Sequence, residues 1–322
     1  MGNDIFKMKE QSVIDRTLND VVKNGNENDQ KDKTFAYSEI EEKLLFKYFD
    51  FEHFIWELIK HFSEVKQNIV PGEEPKIPTM KTNEQLFLTK IDIPQMSSFF
   101  NGLLKTYKDK NREFSEYAIN AFAKVIEAQI KERYLCNLTL LHLLAIPFMF
   151  CKGRPVEKLQ YFHMFFKDDD TTKQMQITSY TRDLVFSCLC ICTYGIRELK
   201  LKIKEQDNLK TKGNRTTTTA TTNKNVNSTE STLTQEEKKA IYNEMKELCD
   251  MASLNETLSE IEYDLADSDI KNEEDVPGKK HILWDDLYKR YTSNQLKFSI
   301  FNSCLLRKYV HDNYNKIYNP TG

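Results

Sequence analysis

The stretch VEKLQYFHMFFKDDDTTKQMQITSYTRDLVFSCLCICTYGI, residues 156–196, decides the fold class. Leu159, Phe162 and Phe166 recur at helical spacing before its polar centre; Leu184, Val185, Cys188, Leu189 and Cys192 do so after it. Between them Lys167, Asp168, Asp169, Asp170, Thr171 and Thr172 crowd polar side chains, mostly oxygen-bearing, into one segment. Ile177 and Thr178 then read as a short β-segment ahead of the second helix. The unit is helix, loop, helix, with one strand-forming hydrophobe in the loop.

The same pattern recurs on both sides. Upstream, Ser38 and Glu41 have capping-box spacing, Ile40, Leu44, Leu45, Tyr48 and Phe49 form an apolar stripe, and 51–62 is a second aromatic-rich run with Trp56 as a core anchor. Pro71, Gly72, Pro75 and Pro78 make 65–82 a loop. Ile91 and Ile93 lead into Pro94, after which Met96, Phe99, Phe100, Leu103 and Leu104 keep helical spacing; proline in the first turn is a good helix start. Segments 114–129 and 139–150 make another helix pair around Leu138. Downstream, Thr234 and Glu237 cap a helix bearing Ile241, Met245 and Leu248. Leu258, Ile261 and Leu265 belong to the next one, and 270–280 intervenes before Ile282, Leu283, Trp284 and Leu287. The last apolar run, 296–310, carries Phe298, Ile300, Phe301, Leu305, Leu306, Tyr309 and Val310, and is too apolar to float free.

A chain of 322 residues buries a sizeable core, and its 39% hydrophobic and 11% aromatic content is globular. The net charge of -3 and the lack of basic runs interleaved with aromatics exclude a nucleic-acid footprint. Seven cysteines, mostly inside apolar runs, read as reduced thiols in an intracellular protein. Cys188, Cys190 and Cys192 lack the CxxC spacing of a metal or redox site and read as buried small hydrophobes. No secretory signal and no bilayer-length apolar run is present, so the chain reads as soluble and cytoplasmic. A phosphate-binding glycine loop, HExxH and GxSxG are all absent, and no cofactor is expected; the chain reads as a non-enzyme. His53 and His61 sit on an aromatic-rich helix and read as solvated or core residues.

The segment 156–196 resembles an EF-hand, with Ile177 at the position of the strand-pairing hydrophobe. Counting from Ile177, the first, third, fifth and twelfth loop positions are Asp170, Thr172, Gln174 and Thr181, with Met175 in place of the turn glycine. Counting from Leu138, they are Lys131, Arg133, Leu135 and His142, which cannot bind Ca²⁺. In the last unit Asp267 and Asp269 stand near the loop start and Asp286 at its end, so Ca²⁺, which takes about six to eight oxygens, has its best ligands there.

Four such units, at about 38–104, 114–150, 156–198 and 254–292, resemble the two-lobed calcineurin-B and neuronal-calcium-sensor-like family. The run Leu143 to Phe162 is similar to the central linker and third entering helix of that family. It also looks like the EF-hand region of myristoylated TLDc-domain proteins. Met1-Gly2-Asn3, with Lys7 and Lys9 downstream and Phe6 where Ser or Thr is preferred, resembles an acylation start and marks Gly2 as the lipidation residue.

The expected architecture is mainly α: a flexible arm over 1–37, an EF-hand-like lobe over 38–150, and a second over 151–310 with a disordered threonine-rich insertion at 200–233. A tail follows over 311–322. Minimal β pairing is expected, Ile91 to Ile93 with Leu138 and Ile177 with Ile282. The resemblance implies a non-catalytic regulatory adaptor that binds a partner helix in an apolar groove, at a membrane surface when Gly2 is acylated. Phe298, Phe301, Leu305 and Tyr309 are its partner-facing residues. The alternative is a calcium sensor with one atypical site in the fourth loop.

Overall fold

Helix boundaries follow the capping signals. In the computed structural model, Asp92 accepts from the Gln95 N–H (2.7 Å) and its own N–H donates to Gln95 Oε1 (3.4 Å), so the chain turns helical at Ile93 with Pro94 in the first turn. Glu157 reaches back to the Arg154 N–H (3.1 Å) ahead of Pro155. Thr234 and Glu237 exchange the same pair of bonds. The structure describes residues 38–62, 79, 84–105, 111–134, 137–167, 174–215, 233–246, 250–266, 281–292 and 301–318.

The helices are α1 (Ser38–Glu42), α2 (Phe51–Phe62), α3 (Glu84–Phe87), α4 (Ile93–Leu104), α5 (Arg112–Tyr134), α6 (Leu140–Leu143), α7 (Ala145–Phe150) and α8 (Pro155–Phe165). They continue as α9 (Ser179–Cys190), α10 (Ile196–Arg215), α11 (Gln235–Lys246), α12 (Met251–Ala266), α13 (Trp284–Thr292) and α14 (Ser303–Tyr318). A 3-10 turn, Leu45–Tyr48, precedes α2, and β1 (Gln174–Gln176) pairs antiparallel with β2 (His281–Leu283). The chain is mainly helical with this one small sheet among the described residues.

The long helical stretch from Ser179 to Arg215 is the axis. Its first part, α9, packs on α5, α6, α7 and α12. A π-helical segment, Ile191–Gly195, then touches α5 and α14. A methyl at Gly195 would lie 2.7 Å from the Phe122 ring, so the absent side chain is what lets α5 approach. One continuous apolar core runs from Ile40 to Val310 and crosses the 150/151 boundary. At that boundary Phe148 meets Phe51 (5.0 Å), Phe162 (6.3 Å) and Phe301 (5.3 Å), and the Phe51 N–H bonds to the Lys152 carbonyl (2.8 Å).

Two boundaries differ from the sequence expectation. Residues 200–215, expected to begin a disordered insertion, continue α10, because Ile196 and Leu199 are fully buried and Ile203 packs on the same side. The tail expected from 311 is helical to Tyr318, held by the buried Asn313. The arm 1–37 with Gly2, the threonine-rich run 216–222, Asp170, Asp267, Asp269 and Phe298 lie outside the described residues.

Candidate functional site

Chemistry in a helix-loop-helix protein concentrates where loop hydrophobe, strand pairing and helix start meet. At the first such corner Ile91 is buried, its N–H donates to the Leu138 carbonyl (2.9 Å), and the Leu140 N–H returns to the Thr89 carbonyl (3.3 Å). The expected pairing of Ile91 with Leu138 is therefore present, as an antiparallel bridge between Lys90 and Thr139. Each hydrophobe is followed at once by the cap of its helix, Asp92 for α4 and Thr139 for α6.

The second corner pairs Met175, not Ile177, with Ile282. Both paired side chains are fully buried, while Ile177 is half-buried at the edge of the core. A shift of two residues keeps the same face inward, so alternation alone could not separate the two registers. Lys167 also forms an antiparallel bridge with Met175. The helix after it starts where the Ile177 count places it: Thr178 caps α9, and Thr181 is its third residue. The third loop thus holds two extra residues between its pairing hydrophobe and its helix cap.

At three helix starts the residue three past the cap turns to the backbone. Gln95 accepts from the Asp92 N–H, His142 Nδ1 from the Thr139 N–H (3.0 Å), and Thr181 Oγ1 from the Thr178 N–H (3.4 Å). Gln95 and His142 each lie four residues past the pairing hydrophobe, and each is a neutral side chain committed to its own helix. His142 is buried, and burial lowers its pKa to about 4, so the ring is neutral and its Nδ1 lone pair is free to accept. Glu84, eight residues before Asp92, is likewise engaged: it accepts from the Tyr180 hydroxyl at the start of α9. On the other side of the second corner Trp284 begins α13 two residues after Ile282, and Asp286 is half-buried at the third helical position. Among the described residues, no group of three or more His, Cys, Asp or Glu side chains is placed to hold a metal ion, and no helix is long and apolar enough to cross a membrane.

Four thiols among the described residues lie in environments that disfavour reaction. Cys151, Cys188, Cys190 and Cys192 are free and buried, and burial pushes the Cys151 and Cys188 pKa values up, away from the reactive thiolate. Beside them Lys158 is buried with Nζ donating to the Phe148 carbonyl (2.8 Å) in the last turn of α7; burial lowers its pKa to about 8. An ammonium on a helix C-terminal carbonyl gives this lysine a structural role.

The last helix is seated in the molecule. Phe301 stacks on Phe148 and meets Phe162 edge-to-face, Leu306 and Val310 are fully buried, and Leu305 and Tyr309 are half-buried at the edges. Of the expected partner-facing residues, Phe301 is thus largely covered by the chain itself. Arg307, with 5% of its side chain exposed, ion-pairs with Glu41 of α1, and Ser303 donates to the same carboxylate. Sequence reading did not single out Glu41 and Arg307 as partners. The available signal was a cation at position 307 on the stripe of Ser303, Leu306 and Val310. No family model, curated protein or solved structure matches the chain.

Proposed function

We propose that the chain is a non-catalytic regulatory adaptor built on a degenerate EF-hand scaffold, which binds an amphipathic helix of a partner protein in an apolar groove. The observation that carries this reading is the pair of loop-to-loop bridges, Ile91 with Leu138 and Met175 with Ile282, combined with the residues four past Ile91 and Leu138 used for helix capping. The bridges support a kinship with paired EF-hands. The caps support loss of ion binding with the scaffold kept. Nucleic acid is not its partner. The chain acts in the cytoplasm and is recruited to a membrane surface when Gly2 carries an acyl chain, which by itself holds only reversibly. Metabolic labelling with an alkynyl fatty acid checks that step, with Gly2→Ala expected to lose the label.

A calcium-sensor reading draws on one observation: Ile282 pairs, and Asp286 then stands four residues on, with the spacing of a twelfth-position carboxylate. Calorimetric titration of Ca²⁺ and Mg²⁺ into the full chain separates the two. The adaptor reading expects no binding heat up to millimolar Ca²⁺. Heat at micromolar Ca²⁺ that disappears in Asp286→Ala would replace it with the sensor.

A further inference from the structure

On α5, Tyr117, Ala121, Lys124 and Ala128 recur at helical spacing and share one face, with Val125 beside them. Alanine at 121 and 128 leaves a hollow between larger neighbours, and Tyr194, Arg197 and Glu198 close its far side. The result is a cleft of about 610 Å³, partly open to solvent and within the size range of small-molecule sites.

An irregular helix builds the far wall. Tyr194 lies in the π-helical segment Ile191–Gly195, where Thr193 Oγ1 (2.6 Å) and Cys192 Sγ (3.4 Å) both donate to the Leu189 carbonyl. Single π-turns inside helices are frequent at functional sites. This one meets α5 at the close approach of Gly195 to Phe122, next in sequence to Tyr194 and Ala121, so the cleft is backed by packed core.

The chemistry of the cleft is aromatic and cationic. The Arg197 guanidinium lies over the Tyr194 ring (4.8 Å) and the Lys202 ammonium over the Tyr117 ring (5.1 Å), while Lys124 is exposed. Glu198, 3.9 Å from Arg197, and Glu205 offset part of this charge, which leaves three cations against two carboxylates. Burial first, and then Glu198 and Glu205, raise the Tyr117 pKa, so its hydroxyl keeps its proton and can donate.

We infer that this cleft binds a small aromatic acid, with the ring against Ala121, Val125, Ala128 and the tyrosines and the acid group towards Arg197 and Lys124. Flat rings pack well on phenol rings, and a guanidinium offers a carboxylate two parallel donors. The site is separate from the adaptor's loops: no residue lining it belongs to a loop bridge or a helix cap.

The test is a saturation-transfer NMR titration of the full chain with three probes. Indole-3-acetate is the aromatic acid, tryptamine sets a cation on the same ring, and cyclohexylacetate keeps the acid without the aromatic ring. Indole-3-acetate is expected to saturate with a Kd on the order of 0.1 mM, and the other two to bind at least about tenfold more weakly. Ala128→Trp fills the cleft from an exposed position and should abolish the signal. Lys124→Glu, also exposed, should weaken indole-3-acetate about fivefold and strengthen tryptamine. A thermal melt checks that each variant is folded. No saturable binding of indole-3-acetate, or binding unchanged in both folded variants, overturns the site. Tryptamine binding as tightly as indole-3-acetate overturns the acid as its ligand class. The adaptor reading stands or falls by the Ca²⁺ titration, which none of these outcomes moves.

Discussion

The first loop pair and the second use the same device at different lengths. Ile91 and Leu138 each sit one residue before a helix cap, so bridge and helix start form a single short corner. In the second pair Ile282 keeps that spacing, but Met175 lies three residues before its cap, Thr178, and the pairing widens into a three-residue ladder. Strand pairing and helix initiation are separate constraints. The first pair meets both with the same residues; the second meets them with different ones and leaves Ile177 between them, half-buried.

The largest expected effect breaks the second pair. Met175→Asp places a carboxylate at a fully buried position in the ladder and should cost on the order of 4 kcal/mol, whereas Ile177→Asp should cost about 1 to 2 kcal/mol. Urea unfolding of both variants measures the difference. The reverse order would return the pairing to Ile177.

Acid should distinguish the pairs next, because only the first contains a buried neutral histidine in its capping pair. His142 is depressed to about 4 in the folded chain against 6.5 for an ordinary imidazole, so the unfolded chain binds the extra proton. Its stability contribution is complete above about pH 6.5 and is lost as pH falls towards 4, by on the order of 3 kcal/mol. His142→Gln keeps an acceptor for the Thr139 N–H and should flatten the stability profile across that window. A profile that keeps its slope in the variant would assign the acid sensitivity to other groups.

The caps give the smallest contrast. Asp92→Ala removes a 2.7 Å bond to the Gln95 N–H and should cost about 1 kcal/mol. In the second pair the bond runs from the Thr178 N–H to Thr181, so Thr178→Ala should cost only about 0.3 kcal/mol, within the spread of surface substitutions. Thermal melts of the two single variants rank them, and equal costs would mean that both corners are capped by the same side-chain bond.

Helical class, the Ile91–Leu138 pairing and the Thr234–Glu237 cap were legible because each depends on residues close in the chain or on one strong hydrophobe beside a helix start. The Met175 register was not legible, since Met175 and Ile177 share a parity and isoleucine is the better strand former. The helix through 200–215 was hidden by its charge. Lys200, Lys202, Lys204 and Glu205 mask a stripe of Ile196, Leu199 and Ile203, which only a neighbour such as α5 makes worth burying.

By itself the amino-acid sequence determined the mainly helical class, the positions of most helix starts and the loop hydrophobes, because periodicity and capping act over a few residues. Tertiary structure alone decided that Met175 meets Ile282, that Glu41 meets Arg307 across a separation of 266 residues, and that Phe301 of the last helix stacks on Phe148. Those contacts pair partners far apart in the chain. Their choice is set by which buried surfaces and charges fit once the helices are packed, and local pattern carries no record of that fit.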